Sequence, residues 1–225
     1  MEKHTRVNDI LLGPLERPAL QWLAQRMPKF VTPDVLTLIG LIGSFITGLS
    51  YYLTNYDKIF LWIADLGLVI NWFGDSLDGT LARYRKIERP KYGYFIDHTL
   101  DSLSIIIIAA GAGLSPYTRF DFVMFALVGY LLMSVLVYIR TYVYGVFKIS
   151  YYKIGPTEVR LIIIILNTLV YFFGANEFAY EDEKYTILDA GALVFGIGLI
   201  ILFIISVIFE GNKLKKEELK SRENI

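Results

Sequence analysis

A transmembrane helix needs about 20 consecutive, mainly apolar residues. This chain offers six such runs: Val31–Thr54, Lys58–Arg83, Tyr92–Leu114, Phe120–Tyr144, Thr157–Phe173 and Tyr185–Phe209. They take up most of its 225 residues, 55% of which are hydrophobic. A soluble domain must cover its surface with polar groups and has no room for so much apolar length. The runs are blocks such as SIIIIAAGAGL rather than alternating ten-residue segments, which argues against a membrane β-barrel. The expected fold class is therefore an all-α membrane protein with six transmembrane helices.

Charge sets the expected orientation. Lys3, Arg6, Arg17, Arg26 and Lys29 precede the first span, and Arg83, Arg85, Lys86, Arg89 and Lys91 fill the second connection. Lys148 and Lys153 lie in the fourth, and Lys213, Lys215, Lys216, Lys220 and Arg222 in the tail. The alternate connections hold only Lys58, Arg119 and Lys184. Positive segments stay cytoplasmic. Both termini are thus expected on the cytoplasmic side, which requires an even number of spans. The first 30 residues, with Pro14, Pro18 and Pro28 among charges, lack the apolar core of a cleavable signal peptide. There is no cysteine, hence no disulfide or thiolate metal site. No nucleic-acid partner is expected.

The expected organisation is an N-terminal segment (1–30), a six-helix membrane domain (31–209) and a charged tail (210–225). Within the first segment, Leu15, Ala19, Trp22, Leu23 and Met27 fall along one helical face, away from Glu16, Arg17, Gln21 and Gln25. That pattern predicts a short amphipathic helix on the cytoplasmic interface. The other reading is a helix packed on the ends of the spans. The tail reads as a solvated continuation of the last helix, with Lys213 and Glu217 paired at i,i+4.

Against this apolar background stands DSLDGTLARYRKIERPKYGYFIDHTLD, residues 75–101. A charged side chain at bilayer depth costs about 2.5–3.5 kcal/mol on insertion scales. Four aspartates left unpaired would cost on the order of 10 kcal/mol. Asp75 and Asp78, three apart, lie about 60° apart on a helix, and Asp97 and Asp101, four apart, share a face. The Arg83–Lys91 connection is short enough to make the two helices antiparallel neighbours, with both pairs near its cytoplasmic end. The geometry predicts two carboxylate pairs facing each other across a wet pocket. Within these two helices no Lys or Arg lies at that level, Arg83 being the nearest. Pairing with basic groups from elsewhere is the bland alternative. Hard divalent cations suit oxygen ligands better, and four carboxylates fit two of them, an arrangement for displacement at phosphorus. Gly74, Gly79, Ala82 and Gly93 leave room for a ligand, or for close helix approach. A cation or proton transporter is the rival class, but transporter sites tend to the midplane. Asp65 lies deeper, on another face, and no role follows for it from the sequence.

The set Asp75, Asp78, Gly79, Ala82, Arg83, Gly93, Asp97 and Asp101, at these spacings, resembles the signature of the CDP-alcohol phosphotransferase family. The stretch between Arg83 and Gly93 holds nine residues, where the family usually has eight or fewer; the extra one is expected to be absorbed in the loop. The resemblance implies a phospholipid-synthesising membrane enzyme. It would transfer a substituted phosphate from a CDP-linked donor to an alcohol, using two divalent cations (Mg²⁺ or Mn²⁺). It makes Asp75, Asp78 and Asp97 metal ligands and Asp101 both a ligand and the general base. Gly79, Ala82, Arg83 and Gly93 would shape the nucleotide pocket. Residues 30–37, FVTPDVLT, are similar to the family's segment before the first span: Thr32 or Asp34 could cap the helix, and Thr37 could reach the nucleotide. A homodimer is common in such enzymes.

For substrates the resemblance divides. Arg140, Lys153 and Arg160 could bind an extra phosphate on the acceptor, as in branches with a CDP-diacylglycerol donor and glycerol phosphate, inositol phosphate or serine type acceptors; plain interfacial snorkelling is the alternative. FIDHTLDSLS (95–104) and TEVR (157–160) are similar instead to choline and ethanolamine phosphotransferases, which use a CDP-amino-alcohol and diacylglycerol. That likeness tilts the reading to the second branch. There His98, about 100° round from Asp97, would sit at the pocket edge. Glu158 could meet a cationic head group, or serve as an acid at a helix N-terminus.

Overall fold

The computed structural model describes residues 5–7, 11–144, 146–148, 155–180 and 183–223. Seven helices carry the chain: α1 Gly13–Arg26, α2 Pro33–Leu53, α3 Phe60–Arg85, α4 Pro90–Gly113, α5 Phe120–Tyr144, α6 Pro156–Phe173 and α7 Ile187–Glu223. Six of them, α2 to α7, are long and apolar enough to cross a membrane, and α1 precedes them as a short helix. Two small two-stranded sheets accompany the helices among the described residues. β1 (Thr5–Val7) runs parallel to β2 (Val146–Lys148), and β3 (Glu177–Tyr180) forms a hairpin with β4 (Glu183–Thr186). The hairpin takes up Tyr185 and Thr186, so the last helix starts at Ile187, two residues later than its apolar run. It then runs through the tail without a break, to Glu223, with Lys213 and Glu217 4.0 Å apart.

Contacts order the helices as α6–α3–α2–α4–α5–α7, with α1 laid on α3. The α2–α3 seam is the tightest, and glycine makes it so. A Cβ on Gly74 would stand 2.3 Å from the Gly40 backbone nitrogen, and one on Gly111 of α4 2.1 Å from the Gly48 carbonyl oxygen. An α3 side chain finishes the seam. Asn71 Nδ2 donates to the Gly40 carbonyl (3.0 Å) and to Ser44 Oγ (2.9 Å).

Polar contacts gather the basic segments at one end of the bundle. Thr32 Oγ1 caps α2, accepting from the Val35 N–H at 3.3 Å, while Asp34 pairs with Arg89. Arg85 donates to the carbonyls of Val31 (2.5 Å), Pro28 (2.8 Å) and Met27 (3.0 Å). Lys86 ends α3 in the left-handed conformation (φ 59°) and turns the chain into the short link to α4.

The N-terminal helix docks on a face rotated from the one its pattern predicts. Leu20 and Ala24 are buried against Leu36, Leu77 and Leu81, with Leu23 and Met27 packed beside them. Leu15 and Trp22 stay exposed. One apolar side of the helix thus packs on the span ends, as the second reading has it, and the adjoining side is open. Glu16 joins this packing, its Oε1 accepting from Trp72 Nε1 (2.7 Å) and Thr157 Oγ1 (2.8 Å).

Toward the other end, Asp65 acquires a structural context. Its buried carboxylate accepts from Asn167 Nδ2 of α6 at 2.6 Å, and Asn167 also meets Tyr51 OH of α2 at 2.9 Å. The three polar groups key α6 onto α2 and α3 within an apolar cluster that includes Leu61, Leu68 and Val170. Asn167→Leu would strand the Asp65 carboxyl. Leaving a buried polar group unpartnered costs about 1–3 kcal/mol, so a lower Tm in detergent is expected, with Asn167→Gln closer to wild type.

Candidate active site

Three of the four aspartates line one cleft at the basic end of the bundle. Asp75 reaches it from α3 and Asp97 and Asp101 from α4, while Thr37 and Gly40 of α2 and Asn71 of α3 close its sides. The Asp101 carboxyl lies within hydrogen-bonding reach of Asp75 and close to Asp97. Two carboxylates so placed repel each other unless a proton or a cation stands between them. Asp78, a turn further along α3, is turned aside. Its Oδ2 accepts from Thr37 Oγ1 at 2.6 Å, and its Oδ1 meets the Gly79 N–H.

His98 lies beside the cleft, next to Asp97. Its ring stacks on Tyr138 (centroids 5.1 Å, 24°) and takes Tyr94 edge-on (4.2 Å, 85°). Its Nδ1 is 3.7 Å from Asp97 Oδ2. Asp97, His98 and Asp101 can bring one ligand atom each to within 4.8 Å of one another. This donor set, mostly carboxylate oxygen, fits a hard divalent cation, with the imidazole leaving room for Mn²⁺ beside Mg²⁺.

Within α3 and α4 no Lys or Arg meets these carboxylates, but the alternative of a basic group from elsewhere is realised at Asp75. Arg160, two residues after Glu158 at the start of α6, projects into the cleft. Its Nη2 meets Asp75 Oδ2 at 2.6 Å, and its Nε donates to Asn71 Oδ1 at 2.8 Å. The guanidinium comes from a third helix, which a search of α3 and α4 alone overlooks. Asn71 also escapes a reading centred on charge, although it lies four residues before Asp75, on the same face of α3.

The remaining candidates scatter around this centre. Arg83 is exposed, donates from Nη2 to Thr80 Oγ1 (3.1 Å) and lies against Gly79, where a Cβ would be 3.3 Å from its Nη1. Ala82 is half-buried one residue before it, near the end of α3. Gly93 is exposed in the first turn of α4, with nothing within 4 Å of where a Cβ would stand. Arg140 pairs with Glu210 of α7 at 2.9 Å. Lys153 lies outside the described residues. Glu158 is buried, and backbone groups occupy both its oxygens: Oε1 accepts from the Leu12 N–H (2.7 Å) and Oε2 from the Gly155 N–H (2.9 Å). It thus ties the N-terminal segment to the first turn of α6.

The chain is similar to known proteins over most of its length. A family model described as CDP-alcohol phosphatidyltransferase matches residues 30–209. Cholinephosphotransferase 1 of Bos taurus is 31% identical over 186 residues, which is 79% of this chain and 45% of that relative. The Homo sapiens cholinephosphotransferase 1 is 31% identical over 178 residues, 74% of this chain and 43% of the relative. Archaetidylinositol phosphate synthase of Pyrococcus horikoshii is 34% identical over 123 residues, 52% of this chain and 62% of the relative. The chain spans about half the length of the curated relatives it matches.

Proposed function

The chain belongs to the CDP-alcohol phosphatidyltransferase family and is an integral multi-pass membrane protein; from that premise we propose that it transfers a substituted phosphate from a CDP-linked donor to an alcohol acceptor, releasing CMP, in phospholipid synthesis. The observation that carries this reading is the meeting of Asp75, Asp97 and Asp101 from two helices in one cleft.

In this reading Asp75, Asp78, Asp97 and Asp101 hold two divalent cations, Mg²⁺ or Mn²⁺, which when bound supply positive charge opposite the donor's diphosphate. Thr37, Gly79, Ala82, Arg83 and Gly93 border the nucleotide. The acceptor hydroxyl attacks the phosphorus distal to cytidine while an Asp101 oxygen takes its proton. The phosphoanhydride bond breaks, and CMP leaves with the electron pair. The cleft lies at the end where the basic segments collect, so by the charge rule it opens, with both termini, on the cytoplasmic side.

For the substrates we favour a CDP-amino-alcohol donor of choline or ethanolamine type and a diacylglycerol acceptor. Two observations support this. The aligned stretch of the bovine cholinephosphotransferase is longer than that of the archaetidylinositol phosphate synthase, 186 against 123 residues. Arg140 and Arg160 are also engaged by different acids, Glu210 and Asp75, which speaks against their serving as one cationic pocket for an extra acceptor phosphate. The test is a screen of CDP-donors against alcohol acceptors with purified protein and Mg²⁺ or Mn²⁺, the lipid product read by mass. CMP release with CDP-choline or CDP-ethanolamine and diacylglycerol is expected. Release only with CDP-diacylglycerol and a polar alcohol would move the chain to the other branch. Cation flux in liposomes with no CMP from any pair would overturn the reading.

A further inference from the structure

We propose that Arg160 is the resident counter-cation of the carboxylate cleft and competes with a divalent cation for Asp75. The inference rests on the metal-dependent reading above and adds to it a control on metal affinity built into α6.

Arg160 is mostly withdrawn from solvent, its side chain 15% exposed, and Asp75, at 20%, is little more open. A bare carboxylate cluster at this depth is costly. The guanidinium meets Asp75 directly and is close to Asp101 as well. It therefore supplies the cleft's neutralising charge whenever no metal does.

The guanidinium is also fixed independently of the acids. Asn71 receives its Nε–H and is itself held by the Gly40 carbonyl and Ser44 Oγ of α2. Seven residues along α6, two turns on the same side, Asn167 is clamped by Asp65 and Tyr51. α6 is thus pinned at Arg160 and again two turns further on, and Arg160 is held beside Asp75 by a neutral contact to Asn71 that survives if Asp75 turns away. Its Nη1 is buried without a hydrogen-bond partner. When Asp75 binds a cation, Nη2 is released beside a cleft residue and Nη1 is a second donor still to be satisfied, a pair suited to a phosphate oxygen of the donor. Positive charge beside a cation site weakens that site, and an anion arriving with substrate relieves the repulsion. Metal and nucleotide are then expected to bind with positive coupling, each raising the other's affinity.

The experiment is Mn²⁺ titration of the purified full chain, followed by electron paramagnetic resonance without nucleotide, with Tm measured in parallel in the metal-free state. Arg160→Met keeps the stem and removes the charge. It should bind Mn²⁺ about tenfold more tightly than wild type and melt at a lower temperature when metal-free. Added CDP should tighten Mn²⁺ binding in wild type and much less in Arg160→Met. If Arg160→Met does not fold, Arg160→Lys decides: it loses the Asn71 contact and should shift the affinity in the same direction by a smaller factor. Unchanged affinity in the folded variant, with wild type binding Mn²⁺, would overturn the inference and leave the proposed function standing. Failure of wild type itself to bind Mn²⁺ or Mg²⁺ would overturn both.

Discussion

Asp101→Asn is expected to abolish CMP release while the protein still binds metal. The substitution keeps the shape of the side chain and removes its capacity to accept a proton. Loss of a general base typically costs about 10²–10⁴ in rate, and Asn also weakens one oxygen ligand, so the combined loss should reach the top of that range. Asp75, Asp97 and His98 remain, so Mn²⁺ binding should weaken rather than vanish. The substitution also removes one of two carboxyls that crowd each other, so the metal-free Tm should hold or rise. That combination separates a catalytic role from a structural one: a residue needed for packing would lose Tm along with turnover. Asp97→Asn, in contrast, should lose metal affinity first and regain part of its activity at high Mn²⁺. Normal turnover by Asp101→Asn would remove it as the base.

How far the site was legible depended on sequence separation. The apolar runs located both ends of α2 to α6 and the start of α7 to within two residues, because a bilayer span imposes its own length, while α7 continues past its run to Glu223. The carboxylates declared themselves because charge in such a run is expensive. Arg160 did not. Periodicity tells which face a residue shares with its helical neighbours, not which helix that face will meet, and Arg160 joins Asp75 across 85 residues. Glu158 was legible as an N-terminal acid, but only the fold brings the Leu12 N–H to it. The packed face of α1 was hidden for a related reason. Leu15 and Trp22 lead the apolar pattern yet stay exposed, while Leu20 and Ala24 fit the groove beside Leu77 and Leu81. Two signals were present and unread. Gly40, Gly43, Ser44, Thr47 and Gly48 recur at helical spacing, a stripe of small residues that lets helices approach closely in a membrane. Phe178, Tyr180 and Tyr185 mark the β3–β4 hairpin as strand-forming sequence.

That stripe carries the second large effect, expected from Gly74→Val. Between membrane helices there is no water to expel, so backbone contact and van der Waals packing must hold them together. At Gly74 the neighbours of an added Cβ are all backbone: Gly40 N at 2.3 Å, Leu36 O at 2.4 Å and Gly40 Cα at 2.6 Å. None can rotate away as a side chain can, so α2 and α3 must part. Gly74 adjoins Asp75, and the same separation moves Thr37 from Asp78 and Asn71 from Gly40. A displacement of about 1 Å at reacting groups can cost 10²-fold in rate even in a folded protein. Gly74→Val should therefore lose at least that much CMP release, with a lower Tm and a reduced yield from the membrane. Gly198→Val on α7, where nothing lies within 4 Å of the added Cβ, is the matched control and should behave as wild type. A smaller loss is expected for Gly79→Ala than for Gly74→Val, since the Cβ of Gly79 meets only the mobile guanidinium of Arg83. Wild-type Tm and turnover in Gly74→Val would mean that α2 and α3 are not in backbone contact. The cleft would then have to be assembled by other means, because Asp75 and Thr37 face it from these two helices.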